Sequence, residues 1–165
     1  MIPAGFEYAR AGSVEEAVEL LGSEAAPVLD GGTSMHQMLR LRFARPSLLV
    51  DVDRLEELRY VRREGDRIAI GALTRHAQLA RDPLLQASCA PLAQAAAHVG
   101  APPVRHRGTI GGSVAHGAPV ADLGTILLTL DADLVAAGPE GQRVIPVREF
   151  FTGMFSTALG PQDVL

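Results

Sequence analysis

Helical and strand-like spacings of hydrophobic residues alternate along the first third of the chain. Apolar residues between 14 and 21 recur at helical spacing, whereas the short apolar runs 27–29 and 48–52 have the length and composition of buried strands. Residues 34–41 return to helical spacing after a glycine turn. The pattern predicts helix, strand, glycine turn, helix and strand, which together form a small α/β unit.

Hairpin patterns dominate the remainder of the chain. Glu64-Gly65-Asp66 separates two strand-like runs, and Pro139-Glu140-Gly141 separates two more, so we predict two β-hairpins. Because helices and strands alternate irregularly, the predicted class is α+β, built as two lobes. We place an N-terminal α/β lobe at residues 1–53 and a second α+β lobe at residues 54–165.

Three helices are predicted for the second lobe. Thr74 is expected to cap the first, Asp82 opens a second that runs to Val99, and the third covers residues 120–130. Residues 104–119, between the second and third helices, are too rich in glycine and polar side chains for a core element. We predict a long loop there, and such loops in compact domains are often functional.

Composition excludes several classes of function. The single cysteine, Cys89, rules out an internal disulfide or a cysteine-based metal site, and it reads as a small buried residue. The net charge is −4 and the basic residues are scattered, which argues against a nucleic-acid surface. All basic side chains other than histidine are arginine, so lysine Schiff-base chemistry is excluded.

The termini and the histidines also narrow the possibilities. No secretory signal precedes residue 30, and no apolar stretch is long enough to cross a bilayer, so we expect a soluble, cytoplasmic protein. The five histidines match no ligand spacing on a single element, and we expect no metal site. His106 and His116 flank the glycine-rich segment and are candidates for contacts with a ligand.

Two glycine-bearing segments are the candidates for an anion site. We name Asp30-Gly31-Gly32-Thr33-Ser34 loop 1 and Thr109-Ile110-Gly111-Gly112-Ser113 loop 2. Backbone N–H groups that converge at glycine turns bind a diphosphate well, although a Gly-Gly turn before a helix is usually only a tight connection. Neither segment is a Rossmann fingerprint or a P-loop. Asp122 is either a helix-start residue or an acceptor for ribose or flavin groups.

Several short motifs in order connect the chain to a known family. The motifs are Phe6-Glu7-Tyr8, Gly31-Gly32-Thr33-Ser34, Leu41-Arg42 with Arg45-Pro46, Leu49-Val50-Asp51-Val52, Ile70-Gly71-Ala72-Leu73-Thr74, Arg107-Gly108-Thr109-Ile110-Gly111-Gly112, Ala121-Asp122-Leu123 and Leu130-Asp131-Ala132. In these motifs the chain resembles the FAD-binding medium subunit of molybdenum hydroxylases, the family of carbon monoxide dehydrogenase and xanthine dehydrogenase. The resemblance implies a two-lobed FAD-binding domain of the PCMH or vanillyl-alcohol-oxidase type.

The resemblance also implies a cofactor, partners and a role. FAD would pass electrons from iron–sulfur clusters to NAD or another acceptor, in a complex with a molybdopterin-binding large subunit and a [2Fe-2S] small subunit. No side chain needs a catalytic role, because the cofactor carries the chemistry. The implied cofactor-binding residues are Leu29, Asp30, Gly31, Gly32, Thr33, Ser34, Met35, Thr109, Ile110, Gly111, Gly112, Ser113, His116, Asp122 and Leu165.

Three departures from the family keep an alternative open. Asp30 stands where relatives commonly have alanine, and replacing it with alanine is expected to strengthen FAD binding unless its carboxylate points away or pairs with an arginine. Ala118 replaces a polar residue, and the family's C-terminal domain is absent after Leu165, in either a piece of a longer protein or a naturally short one. The alternative function is a non-catalytic scaffold or assembly module that binds flavin weakly or not at all.

Overall fold

The computed structural model describes residues 2–23 and 26–165, and its amino-terminal part is the predicted α/β unit. Three parallel strands form a sheet in the order β1-β3-β2. The edge strand β1 was not predicted, because its polar sequence lacks the apolar run of a buried strand. The elements are β1 (Glu7–Arg10), α1 (Val14–Ser23), β2 (Val28–Leu29), α2 (Met35–Arg40) and β3 (Leu48–Asp51).

The second part contains three hairpins and seven short helices among the residues described. Both predicted hairpins are present, β4 with β5 and β6 with β7, which agrees with the predicted α+β class. The elements are a 3₁₀ turn (Glu56–Leu58), β4 (Val61–Glu64), β5 (Arg67–Ile70), α3 (His76–Leu79), α4 (Pro83–Ser88), α5 (Ala90–His98), α6 (Pro102–Arg107), α7 (Ile110–Ala115), α8 (Asp122–Thr129), β6 (Asp133–Gly138), β7 (Gly141–Pro146), α9 (Val147–Phe150), β8 (Phe151–Gly153) and β9 (Ser156–Thr157).

The helix predicted from Asp82 to Val99 is two helices. Asp82 caps α4 as expected, accepting hydrogen bonds from the amides of the first turn at 3.0 Å. The chain then breaks at Cys89, which has φ −149° and ψ 50°. Pro91 explains the break, because a proline inside a helix lacks an N–H and its ring would clash with the carbonyl four residues earlier.

Thr74 is not a helix cap. It is buried, and its hydroxyl donates to the carbonyl of Tyr60 at 3.0 Å, so it is part of the hairpin packing. Helix α3 begins after Arg75, whose amide donates to the side chain of Gln78 at 2.9 Å. The predicted cap at Thr74 is therefore wrong, because its hydroxyl bonds to Tyr60 and not to the helix.

The predicted loop 104–119 is largely helical. Pro102 and Pro103 form the start of α6, since proline suits the first turn of a helix. They therefore begin a new helix and do not only end the previous one. Thr109 caps α7, since its hydroxyl accepts a hydrogen bond from the amide of Gly112 at 3.1 Å. Ile110 and Val114 are buried, so this segment contributes to the core despite its glycines.

Two hydrophobic clusters organise the interior. The larger surrounds the fully buried Phe150, and the smaller lies between α1 and β3. Leu73 and Val164 join the smaller cluster from far along the chain, and Val164 also pairs with Ala137 of β6 through two backbone hydrogen bonds of 2.7 and 2.8 Å. The lobe boundary at residue 53 stays a prediction. No helix in residues 2–23 and 26–165 has the length and apolar character needed to span a membrane.

Candidate functional site

Loop 1 presents hydrogen-bond donors that the protein does not use. It connects β2 to α2, and Gly32 has φ +72°, a left-handed conformation that favours glycine. Within the residues described, no partner is found for the amides of Gly31, Gly32, Thr33 and Ser34, nor for the hydroxyls of Thr33 and Ser34. Loop 1 is therefore the segment with free backbone donors, as its sequence suggested.

Loop 2 differs from this expectation, because four of its five amides, those of Ile110 to Ser113, are already bonded inside the protein. The donors left for a ligand are the amide of Thr109 and the hydroxyl of Ser113, for which the described part of the chain offers no partner. The amides of Ile110 to Ser113 are thus satisfied within the protein before any ligand binds. The internal bonds are Ile110 N–H to the Thr74 carbonyl (3.1 Å), Gly111 N–H to the Ala72 carbonyl (2.8 Å), Gly112 N–H to Thr109 Oγ1 (3.1 Å) and Ser113 N–H to the Thr109 carbonyl (3.1 Å).

The glycines of both loops are required for packing within the protein. A Cβ atom on Gly31 would lie 2.1 Å from the carbonyl oxygen of Arg107, and one on Gly111 would lie 2.5 Å from the Cβ of Ala72. Both distances are far below van der Waals contact. The glycines that suggested a phosphate site are therefore needed for close packing, of Gly31 against Arg107 and of Gly111 against Ala72.

Asp30 links the two loops. The hydroxyl of Thr109 donates a short hydrogen bond to Oδ2 of Asp30, and a Cβ on Gly112 would lie 2.5 Å from the same oxygen. Burial raises the pKa of Asp30, while the hydrogen bond from Thr109 and the charge of Arg75 oppose the increase. The carboxylate is hydrogen-bonded but forms no ion pair with an arginine among the described residues, so the expectation that alanine at this position strengthens FAD binding stays a prediction.

Arg59, Arg75 and Arg107 form a cluster around Asp53, next to loop 2 in sequence or contact. Arg75 donates short hydrogen bonds to the carbonyl of Arg107 and to the carboxylate of Asp53. The same carboxylate is 2.9 Å from Arg59 and 3.7 Å from Arg107. Since the carbonyl of Arg107 is the atom that contacts Gly31, the cluster fixes the distance between the loops.

The two loops form walls of one cleft of about 580 Å³, within the usual range for small-molecule sites. Leu29 and Ile110 do not line it, and Gly31 faces a neighbouring cavity instead. Cofactor contact by each candidate residue stays a prediction. The candidates on the cleft wall are Asp30, Gly32, Thr33, Ser34, Met35, Thr109, Gly111, Gly112, Ser113, His116, Asp122 and Leu165.

His76 lies on the cleft wall and is almost fully buried, at 3% exposure. Its Nδ1 has no hydrogen-bond partner among the described residues. Burial, assisted by the positive charge of Arg75, lowers its pKa to about 4, so the ring is neutral at neutral pH. His76 was not among the residues that the sequence predicted to contact a ligand.

Two sequence candidates outside the loops, His116 and Asp122, also line the cleft. The ring of His116 lies 5.2 Å from that of Phe155, and the Phe155 amide donates to the carbonyl of Gly117 at 2.9 Å. Asp122 is the first residue of α8. No local motif marks the remaining wall residues, which include Val99, Gly100, Val104, Thr157, Leu159 and Asp163.

The site fits a phosphate-bearing cofactor. A dianionic diphosphate is bound best by N–H and O–H donors, and Gly32, Thr33, Ser34 and Ser113, which line the cleft, have such donors without a partner among the described residues. The loops come from positions 79 residues apart in sequence, yet they are in direct hydrogen-bond contact.

Comparison with known proteins agrees with this fit. The carbon monoxide dehydrogenase medium chain of Hydrogenophaga pseudoflava is 44% identical over 167 residues, covering 100% of this chain and 58% of that protein. The 6-hydroxypseudooxynicotine dehydrogenase complex subunit alpha of Paenarthrobacter nicotinovorans is 41% identical, covering 100% of this chain and 56% of that protein. The chain thus spans a little more than half the length of these curated relatives.

Solved structures share the fold. The carbon monoxide dehydrogenase of Hydrogenophaga pseudoflava superimposes with a TM-score of 0.98 at 44% identity, covering 100% of this chain and 58% of that one. Quinoline 2-oxidoreductase from Pseudomonas putida 86 gives 0.96 at 30% identity, covering 99% and 58%. The fold and the resemblance inferred from motifs are confirmed. Residues 4–165 match the family described as the FAD binding domain in molybdopterin dehydrogenase, and the chain belongs to that family.

Proposed function

We propose that this chain holds the diphosphate of FAD between loop 1 and loop 2 and serves as the electron-transfer component of a molybdenum hydroxylase. The bound flavin would supply the chemistry of accepting and releasing electrons. The observation that carries the proposal is the set of unpartnered donors of Gly32, Thr33, Ser34 and Ser113, which line one cleft. The side chains bind and orient; none is required as an acid, base or nucleophile.

The residues divide the work along the cleft. The amides of Gly32, Thr33 and Ser34 and the hydroxyls of Thr33, Ser34 and Ser113 hold the diphosphate, without the entropic cost of ordering long side chains. His76, kept neutral by burial, adds no charge next to it. His116 and Asp122 lie at the end where the flavin ring would be oriented.

The electron path and partners belong to the same proposal. Relatives are described as medium chains or subunits of dehydrogenase complexes. We infer that electrons reach this chain from a [2Fe-2S] small subunit served by a molybdopterin-binding large subunit, and leave to NAD or another acceptor. Anaerobic substrate addition to the purified complex should bleach the flavin bands. Flavin that stays oxidised while the iron–sulfur signals are reduced would refute this role.

Titration with FAD tests the binding part. Protein purified with FAD and then desalted should retain the flavin absorption bands, and Ser113→Ala and Thr33→Ala should each weaken binding about tenfold, because each removes a hydrogen bond to a charged group worth about 1.5 kcal/mol. Thr129→Ala is the matched control, since the Thr129 hydroxyl bonds within its own helix. Wild-type affinity in both Ser113→Ala and Thr33→Ala would show that the diphosphate lies elsewhere.

A second candidate is a non-catalytic scaffold of the same fold. The observation in its favour is Asp30, a carboxylate on the cleft wall where the diphosphate would lie. The same titration separates the two. Absence of any saturable FAD binding to the full chain, with the complex still assembling, would favour the scaffold.

A further inference from the structure

We propose that Asp30 is a positioning residue of the cofactor site, which ties loop 1 to loop 2 through Thr109 and takes up a proton from solvent when the FAD diphosphate binds. The inference rests on the proposed placement of the diphosphate between the two loops. It assigns to FAD binding a dependence on pH and a specific residue responsible for it.

A side-chain hydrogen bond joins Thr109 to Asp30. Thr109 has one hydroxyl proton, and its oxygen already accepts the Gly112 amide, so that proton is directed to Asp30. Asp30 follows β2 directly, whereas Thr109 caps α7. One side-chain hydrogen bond therefore joins segments 79 residues apart in sequence and fixes the spacing of the two cleft walls.

The negative charge of Asp30 would repel a diphosphate bound between the loops. The carboxylate oxygen lies against Gly112 and forms part of the cleft wall. A dianionic ligand between the loops would face this carboxylate at short range in a site partly excluded from water, where like charges repel strongly. The protonated acid relieves the repulsion and keeps its contact with Thr109. Proton uptake is therefore the low-energy response to binding.

The surroundings of Asp30 already raise its pKa in the absence of a ligand. Burial raises the pKa of Asp30, and the negative charge of Asp53 adds to the increase, although the hydrogen bonds from the Thr109 hydroxyl and the Gly112 amide oppose it. Arg75 opposes the increase as well, but its guanidinium is also bonded to Asp53 and to the Arg107 carbonyl. No cation is thus reserved for Asp30 alone within the described residues. The other titratable groups on the cleft wall are His76, His116, Asp122 and Asp163.

The sign of the effect follows from linkage. The complex with FAD binds more protons than the free protein, so affinity falls as pH rises from the pKa of free Asp30 towards its higher value in the complex. The dissociation constant increases by up to about tenfold per pH unit within that window and is flat outside it. Proton uptake approaches roughly one per FAD in the window.

Calorimetric titration of the full chain with FAD, in buffers of different ionisation enthalpy between about pH 5 and pH 9, measures that uptake. Asp30→Asn keeps an oxygen that accepts from Thr109 and removes the charge, so its affinity should be pH-independent and should exceed that of wild type at alkaline pH. Asp30→Ala should also lose the pH dependence but bind more weakly than Asp30→Asn, because the link to Thr109 is gone.

Asp163→Asn is the matched control, because Asp163 is another cleft carboxylate and pairs with Arg143. This variant should keep the wild-type proton uptake. Saturable FAD binding without proton uptake, or an Asp30→Asn variant with the wild-type pH profile, overturns the inference and leaves the proposed function intact. Failure of wild type and every variant to bind FAD overturns the proposed function and the inference with it.

Discussion

His76 should make the stability of the domain depend on pH between about pH 4 and pH 6.5. Its pKa falls from 6.5 to about 4 in the folded chain. At about 1.4 kcal/mol per pKa unit, the difference is worth about 3 kcal/mol. Because the unfolded chain binds the proton more readily, stability is full above pH 6.5 and decreases as pH falls towards 4.

His76→Leu should remove this component. Nδ1 of His76 has no partner to lose, and leucine has a similar volume, so the variant should be close to wild type at pH 7.5. Urea unfolding at several pH values from about 7.5 to 4.5 should give a smaller decrease in the free energy of unfolding for the variant, by about 2 to 3 kcal/mol over the range. His98→Leu, at an exposed helix position, is the control and should follow wild type.

Two results would refute this reasoning. Equal decreases in the free energy of unfolding for wild type and His76→Leu would mean that protonation of His76 is not coupled to unfolding. A loss of several kcal/mol in the variant at pH 7.5 would mean that the ring makes a stabilising polar contact, and then burial alone does not explain its neutral state.

Two further predictions concern local packing. Gly31→Ala should lower the thermal midpoint by several degrees and weaken FAD binding, because its Cβ would overlap the carbonyl of Arg107; Gly5→Ala, with open space around it, should change neither, and equal midpoints would disprove the close approach. Asp82→Ala should cost about 1 kcal/mol of unfolding free energy in urea, because two amides at the start of α4 lose their acceptor, and an unchanged value would mean that solvent caps the helix equally well.

The sequence predicted the elements whose determinants are local. The hairpin at Gly65-Asp66 follows from turn chemistry, and α4 follows from Asp82 and the proline after it. Elements that depend on distant partners were missed. The polar strand β1 exists because β3 pairs with it, and α7 forms because its amides reach Ala72 and Thr74, which no local pattern reveals.

The candidate site divides in the same way. Glycine patterns located loop 1 and loop 2, but they did not show that most amides of loop 2 are bonded within the protein, since two of the acceptors are the distant carbonyls of Ala72 and Thr74. His76 was missed because a histidine at the start of a short helix carries no mark of burial in the sequence. The link from Asp30 to Thr109 was likewise beyond prediction, since it joins residues 79 positions apart.

The position of Val164 has a consequence for how the chain folds during synthesis. Its side chain completes the cluster between α1 and β3, nearly the whole length of the chain after Ala17 of the same cluster. Contacts of such high sequence separation form late, because a long loop must close first. A nascent chain that has emerged only as far as β3 therefore keeps apolar surface of its first unit in contact with water, and that surface stays available to chaperones until residue 164 arrives.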